Sequence, residues 1–198
     1  MKTINIPEFC VVVLIGASGS GKSTFAQTHF QPTEILSSDY FRSLVCDDEN
    51  RQSASNDAFD ALHHVLALRL KNMRLTVVDA TNVQSEGRKT LLALAREYYT
   101  QAVAIVLDLP DEVSFSRNQS RPDRQFGPHV INRQRRELKR SLRGLEREGF
   151  RYVHVLHTEE EVNAVQIVRD RLWNNLRHEY GPFDIIGDVH GCLPALVT

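Results

Sequence analysis

Five consecutive apolar residues, Val11 to Ile15, run directly into Gly16-Ala17-Ser18-Gly19-Ser20-Gly21-Lys22-Ser23-Thr24. The segment matches G-x-x-x-x-G-K-[ST] at Gly16, Gly21, Lys22 and Ser23. The apolar run suits a buried parallel strand, and Lys22 to Phe30 reads as the start of a helix. That strand–loop–helix setting is what the motif requires. Without large side chains at Gly16, Gly19 and Gly21, the backbone N–H groups can turn inward around phosphates, and the helix N-terminus adds its field. The expected nucleotide-binding residues are Gly16, Ser18, Gly19, Ser20, Gly21, Lys22, Ser23 and Thr24. Lys22 is expected to reach the β- and γ-phosphates and the Ser23 hydroxyl to bind Mg²⁺. The alternative is a glycine-rich turn that holds no ligand.

The chain has 198 residues, enough for one domain with an appendage, and 41% of them are hydrophobic. No apolar run approaches the ~20 residues that span a membrane, and MKTINIPEF lacks a signal-peptide pattern. Cys10, Cys46 and Cys192 are odd in number and outside metal-ligand motifs, so reduced thiols in the cytoplasm are expected. The net charge of −1 hides an asymmetry: residues 117 to 151 hold eleven Lys or Arg against four Asp or Glu. A solvated helix face explains many such runs. This one lies where phosphate-transferring enzymes keep a lid, which points to a polyanion.

Strand and helix patterns alternate. Thr33 to Ser37 reads as a short strand, Asp57 to Lys71 as a helix with Phe59, Leu62, Leu66 and Leu70 on one face, and Leu75 to Asp79 as a strand. A helix over Gln84 to Tyr99, a strand over Val103 to Leu107 and a helix from Asp111 follow. Gly127-Pro128 precedes a long basic helix to about Glu148, and Tyr152 to Leu156 reads as the fifth strand. The expected fold is α/β: a P-loop NTPase-type parallel sheet of about five strands, helices on both faces and a helical lid. From about Asp170 the composition changes, and a new strand signal, Phe183 to Ile186, leads into Gly187-Asp188-Val189-His190-Gly191.

Phosphoryl transfer also needs a group to orient the acceptor and cations for the transferred charge. Asp39, just beyond the second strand, can point into the crevice of the loop and take a proton from an incoming hydroxyl; the other use is to cap a helix beginning at Tyr40. Arg42 shares a helix face with Asp39 and can hold an acceptor phosphate or the transferred group, or be a surface arginine. Arg117, Arg121 and Arg124 are spaced by four and three, but Pro122 favours a helix-then-loop lid over one helix. Their guanidinium forks suit phosphate oxygens. Asp79 ends an apolar strand in the position of a Walker B aspartate, to meet Mg²⁺ through water or to brace the loop, with Thr81 and Asn82 behind it. His63 and His64 have no partner at ligand spacing.

GASGSGKST (16–24), SSDYFRSLVCDDE (37–49), LTVVDATN (75–82), RNQSRPDR (117–124) and EGFRYVHVL (148–156) together resemble the kinase domain of bacterial polynucleotide kinase–phosphatases of RNA repair. Phage 5′-polynucleotide kinases are more distant relatives. The resemblance runs through the whole chain. It implies Asp39 as general base toward a 5′-hydroxyl, Arg42 at the acceptor end, and Arg117 and Arg124 on the donor phosphates, with Arg121 carried over less directly. FDIIGDVHGC is similar to the first motif of a calcineurin-like metallophosphoesterase, in which Asp188 and His190 would each bind one metal. The family follows its kinase with phosphatase and ligase domains. The resemblance therefore divides the chain into a kinase domain, 1–170, and a connector with the start of a phosphatase domain, 171–198. Two ligands do not make a two-metal site, so no phosphatase activity is expected of these residues.

The expected activity is a cytoplasmic, Mg²⁺-dependent transfer of the γ-phosphoryl of ATP or another NTP to the 5′-OH end of RNA or DNA. Two rivals are a P-loop kinase of a small molecule and a nucleotide-dependent switch module with no acceptor. Asp39 and Arg42 argue against the switch, which needs neither.

Overall fold

The computed structural model describes residues 2–119 and 127–182. Strands β1 (Thr3–Pro7), β2 (Cys10–Ile15), β3 (Ile35–Ser37), β4 (Thr76–Asp79), β5 (Gln101–Leu107), β6 (Tyr152–Leu156) and β7 (Gln166–Asp170) alternate with eight helices among those residues. The helices are α1 (Lys22–His29), α2 (Ser38–Cys46), α3 (Ser55–Lys71), α4 (Ser85–Glu97), α5 (Asp111–Gln119), α6 (Pro128–Leu142), α7 (Leu145–Glu148) and α8 (Glu159–Ala164). Five strands form one parallel sheet in the order β3-β4-β2-β5-β6. From β2 the chain crosses outward to β3, returns through β4, then passes to β5 and β6 on the other side. The carboxyl end of β2 is therefore the switch point where an α/β sheet opens a crevice.

Every residue of β2 is buried because both faces of the sheet are covered. Val11, Val13 and Ile15 pack with Leu62, Leu66 and Leu70 of α3, Leu91 of α4 and Leu138 of α6. The alternate residues Cys10, Val12 and Leu14 pack with Phe25 and Ala26 of α1. The strand period of two sends one strand to two cores.

Three local expectations change. The first strand is Thr3–Pro7, which pairs in parallel with Gln166–Asp170 as a separate two-stranded sheet. Ile4 and Ile6 fill the α1-side core from it. Each strand is short and half polar, and each is the other's ladder partner. The segment at 33–34 belongs to a 3-10 turn, Pro32–Glu34, so β3 is only three residues long. The long basic helix is two, α6 and α7, separated at Gly144, the N-cap of α7. The strand signal at 183–186 and the Asp188 and His190 motif lie outside the described residues.

Candidate active site

The loop leaves β2 under restraint from the turn after β4. Gly16 N–H donates to the Thr81 carbonyl at 3.0 Å, and Asn82 Nδ2 donates to the Leu14 carbonyl at 2.8 Å. Asn82 itself is left-handed, φ 49°, a conformation Asn tolerates better than most residues. Arg88 of α4 holds that turn in place, donating from Nη1 to the Asn82 carbonyl at 2.6 Å. Its other nitrogens grip Glu148 of α7 in a fork, Nε to Oε2 at 2.8 Å and Nη2 to Oε1 at 2.6 Å.

Gly19 and Gly21 have φ of 83° and 90°, which glycine adopts without steric cost. Gly19 also lies so close to α5 that a Cβ there would stand 2.5 Å from the Ser114 carbonyl oxygen. Lys22 is buried inside the loop, with Nζ donating to the carbonyls of Gly16 at 3.0 Å and Ala17 at 2.8 Å and to the Ser20 hydroxyl at 3.4 Å. Ser18 N–H donates to Gln134 Oε1 of α6 at 2.8 Å. No acidic residue occupies the first turn of α1, so the helix's own sequence leaves the field of its N-terminus open to an anion.

A cavity of about 550 Å³ opens from this loop toward β3 and β4. Ser18, Gly19, Gly21, Lys22 and Ser23 form one wall, and Asp39, Arg42 and Asp79 face them. Helix α2 begins at Ser38 with Ser37 as N-cap, two residues earlier than a helix capped by Asp39. Asp39 instead sits in the first turn and forms an ion pair with Arg42. Arg42 is buried, and its Nε donates to the Glu49 carbonyl at 2.7 Å. The guanidinium is thus anchored at one end and offers the other to the Asp39 carboxylate, fixing where that carboxylate points. Asp79 is buried at the end of β4 in register with Leu14 and Ser37.

A second groove of about 350 Å³ lies across the loop, sharing Gly19 and Gly21 with the cavity. Thr24, Thr28 and His29 of α1, Arg117 of α5 and Asn163 of α8 line it. Arg117 forms an ion pair with Glu159, and its Nη1 lies 2.7 Å from where a Cβ on Gly21 would stand. Burial lowers the pKa of the His29 imidazole, whose ring lies tilted against Phe25 with centroids 4.5 Å apart. The fold therefore brings Asp39, Arg42 and Asp79 to one side of the loop and Arg117 to the other. Arg121 and Arg124 lie outside the described residues.

Several cavity residues carry no signal in the sequence. Gln52, Ser55 and Phe59 enter from the segment after α2, which reads as a polar connector running into a helix. Val130, Arg133 and Gln134 enter from α6 at spacings of three and one. A helical projection of 128–142 could have found two of them, since Ile131, Arg135 and Leu138 mark the buried face and leave 130 and 134 on its flank, with 133 farther round.

A sequence model of the AAA domain family matches residues 11–166. No curated protein matches the chain in sequence. Among solved structures, the Pnkp1/Rnl/Hen1 RNA repair complex contains a chain 25% identical to this one, with 69% of this chain and 46% of that chain covered and a TM-score of 0.58. This chain thus spans less than half of that protein. The AvrRxo1-ORF1:AvrRxo1-ORF2 complex with ATP is 15% identical, covering 78% and 56%, with a TM-score of 0.59. Kti12 of Chaetomium thermophilum, in complex with ADP-AlF3, is 17% identical, covering 77% and 93%, with a TM-score of 0.56. What all share with this chain is the P-loop, kinase-like α/β fold. Among the described residues no helix is long and apolar enough to cross a membrane.

Proposed function

The chain belongs to the AAA domain family, and from that premise we propose that it is a polynucleotide 5′-hydroxyl kinase, moving the γ-phosphoryl of ATP or another NTP to the 5′-OH of RNA or DNA. The observation that carries the reading is the single cavity in which Lys22 and Ser23 face Asp39 and Arg42. A switch module has no use for a carboxylate fixed by a buried arginine opposite its phosphate loop. The 25% identity with a chain of an RNA repair complex supports a polynucleotide as acceptor.

In this reading the loop N–H groups and Lys22 hold the donor phosphates, and the nucleoside extends into the groove of Thr28, His29 and Asn163. Lys22 turns from the loop carbonyls to the phosphates, exchanging neutral acceptors for charged ones. Ser23 and Asp79, a hydroxyl and a buried carboxylate lining the same cavity, are the hard oxygen donors that fit Mg²⁺, which when bound neutralises phosphate charge. Asp39 accepts the proton of the incoming 5′-hydroxyl. Arg42 keeps its carboxylate aimed and is near enough to meet the acceptor. Arg117 releases Glu159 to reach the donor phosphates from the far side, joined by Arg124. The basic segment engages the acceptor backbone, so affinity falls as salt rises. Residues 1–170 form the kinase unit, and 171–198 lead toward a phosphatase domain.

The test is transfer of labelled γ-phosphate from ATP with Mg²⁺ to a short 5′-OH oligonucleotide. Label on the 5′ end is expected, lost in Lys22→Ala and reduced ~10²–10⁴-fold in Asp39→Asn with ATP affinity retained. No transfer by a folded protein that binds ATP tightly would move the reading to a small-molecule acceptor or a switch.

A further inference from the structure

Arg133, Arg136, Arg140 and Arg143 follow one another at spacings of three, four and three along α6 and its C-cap, and all four are exposed. At 100° per residue they fall within one stripe, opposite the buried Ile131 and Leu138. Arg133 belongs both to this stripe and to the wall of the active-site cavity. Among the described residues none of the four is in an ion pair. Two nearby carboxylates are engaged elsewhere: Glu137 accepts from Gln84, and Glu148 is held in the fork of Arg88.

Nothing in folding asks for this arrangement. Like charges three or four residues apart destabilise a helix by ~0.2–0.5 kcal/mol per pair, and the stripe has three such pairs. A C-terminal macrodipole favours cations in the last turn, which accounts for Arg140 and leaves Arg133 and Arg136 unexplained. An ordinary solvated face intersperses glutamate among its arginines. The charge is instead continuous with a cavity already fitted to phosphates.

We infer that this arginine stripe is the track for the acceptor strand: it receives the sugar–phosphate backbone leaving the active site and gives the enzyme a preference for acceptors several nucleotides long. The inference rests on the polynucleotide kinase reading. The span from Arg133 to Arg143 is about 15 Å at the helical rise, room for roughly four phosphates at the ~3.4 Å spacing of a stacked strand. Contacts of this kind fix position and register without reading bases, so the preference is for length and not for sequence.

The test compares the wild-type chain with Arg140→Gln/Arg143→Gln, both exposed positions. Binding of a labelled, 5′-phosphorylated 12-mer is followed by anisotropy at 50 and 200 mM salt. Transfer to a dinucleotide and to a 5′-OH 12-mer is measured beside it. Four phosphate contacts on a single strand predict about a fiftyfold loss of 12-mer affinity over that salt range, and two contacts about a sevenfold loss. The double variant should therefore show the shallower slope and a raised KM for the 12-mer, with KM for the dinucleotide and for ATP unchanged. An unchanged salt slope, or an equal effect on dinucleotide and 12-mer, would overturn the track. If the 12-mer binds with the expected slopes but neither acceptor is phosphorylated, the surface stands and the kinase reading fails. If no oligonucleotide binds, both fall, and the stripe belongs to an acidic protein partner.

Discussion

Arg88 offers the sharpest energetic test of how the loop is held. Its side chain is fully buried, while that of its partner Glu148 is 22% exposed. Removing one member of a buried pair costs about 3–5 kcal/mol because the other is left uncompensated. The exposures make the two removals unequal. In Arg88→Met the orphaned carboxylate still reaches water, and the Asn82 carbonyl loses one donor, which puts the loss near 3 kcal/mol. In Glu148→Met a guanidinium with no access to water is stranded, and the loss belongs near 5 kcal/mol. For a chain of this size a urea m-value of about 2 kcal/mol/M converts these to midpoint shifts of about 1.5 and 2.5 M. The double variant Arg88→Met/Glu148→Met removes both charges together and should recover most of the loss, giving a strongly favourable coupling in the cycle. Equilibrium urea unfolding of the four proteins measures all of this. Additive losses, or a larger loss in Arg88→Met than in Glu148→Met, would refute the assignment of this stability to a buried ion pair.

Two further outcomes follow from the geometry. Gly19→Ala places a methyl 2.5 Å from the Ser114 carbonyl at a φ of 83°, so triphosphate affinity should fall at least tenfold with the fold retained; calorimetric titration with ATP would show it, and unchanged affinity would mean the loop and α5 move apart freely. Burial lowers the pKa of His63 and of His154 below the ordinary 6.5, with Asp60 opposing the shift at the first and Lys2 adding to it at the second. Both Nε2 atoms are buried without a hydrogen-bond partner among the described residues. The unfolded chain then takes up protons first as pH falls, so stability is full above about 6.5 and declines below it toward the lowered folded values. Melting temperatures at pH 7.5 and 5.5 should differ less in His63→Leu/His154→Leu than in the wild type, and an unaltered difference would place the pH dependence in other groups.

The sheet was legible because its signals are local. A strand covered on both faces must be continuously apolar, as Val11 to Ile15 is, and helices packed on one side must repeat every three or four residues, as Leu62, Leu66 and Leu70 do. β1 and β7 escaped because each is short and gains its stability from a partner some 160 residues away. The site divides along the same line. Gly16 to Ser23 declare themselves because a phosphate cradle is built from consecutive backbone amides, so its constraint is written in consecutive residues. Asp39 could be singled out by its place after a strand, but its engagement with a buried Arg42, itself anchored on Glu49, depends on a turn of chain that no periodicity describes. The Gln134 contact to Ser18 spans 116 residues, and the Arg88 fork to Glu148 spans 60. By itself, then, the sequence determined a parallel α/β sheet with a phosphate loop at its switch point. Only the tertiary structure decided which side chains surround that loop, because hydrogen bonds and ion pairs between distant segments depend on where the whole sheet carries them, and side-chain identity alone does not encode that position.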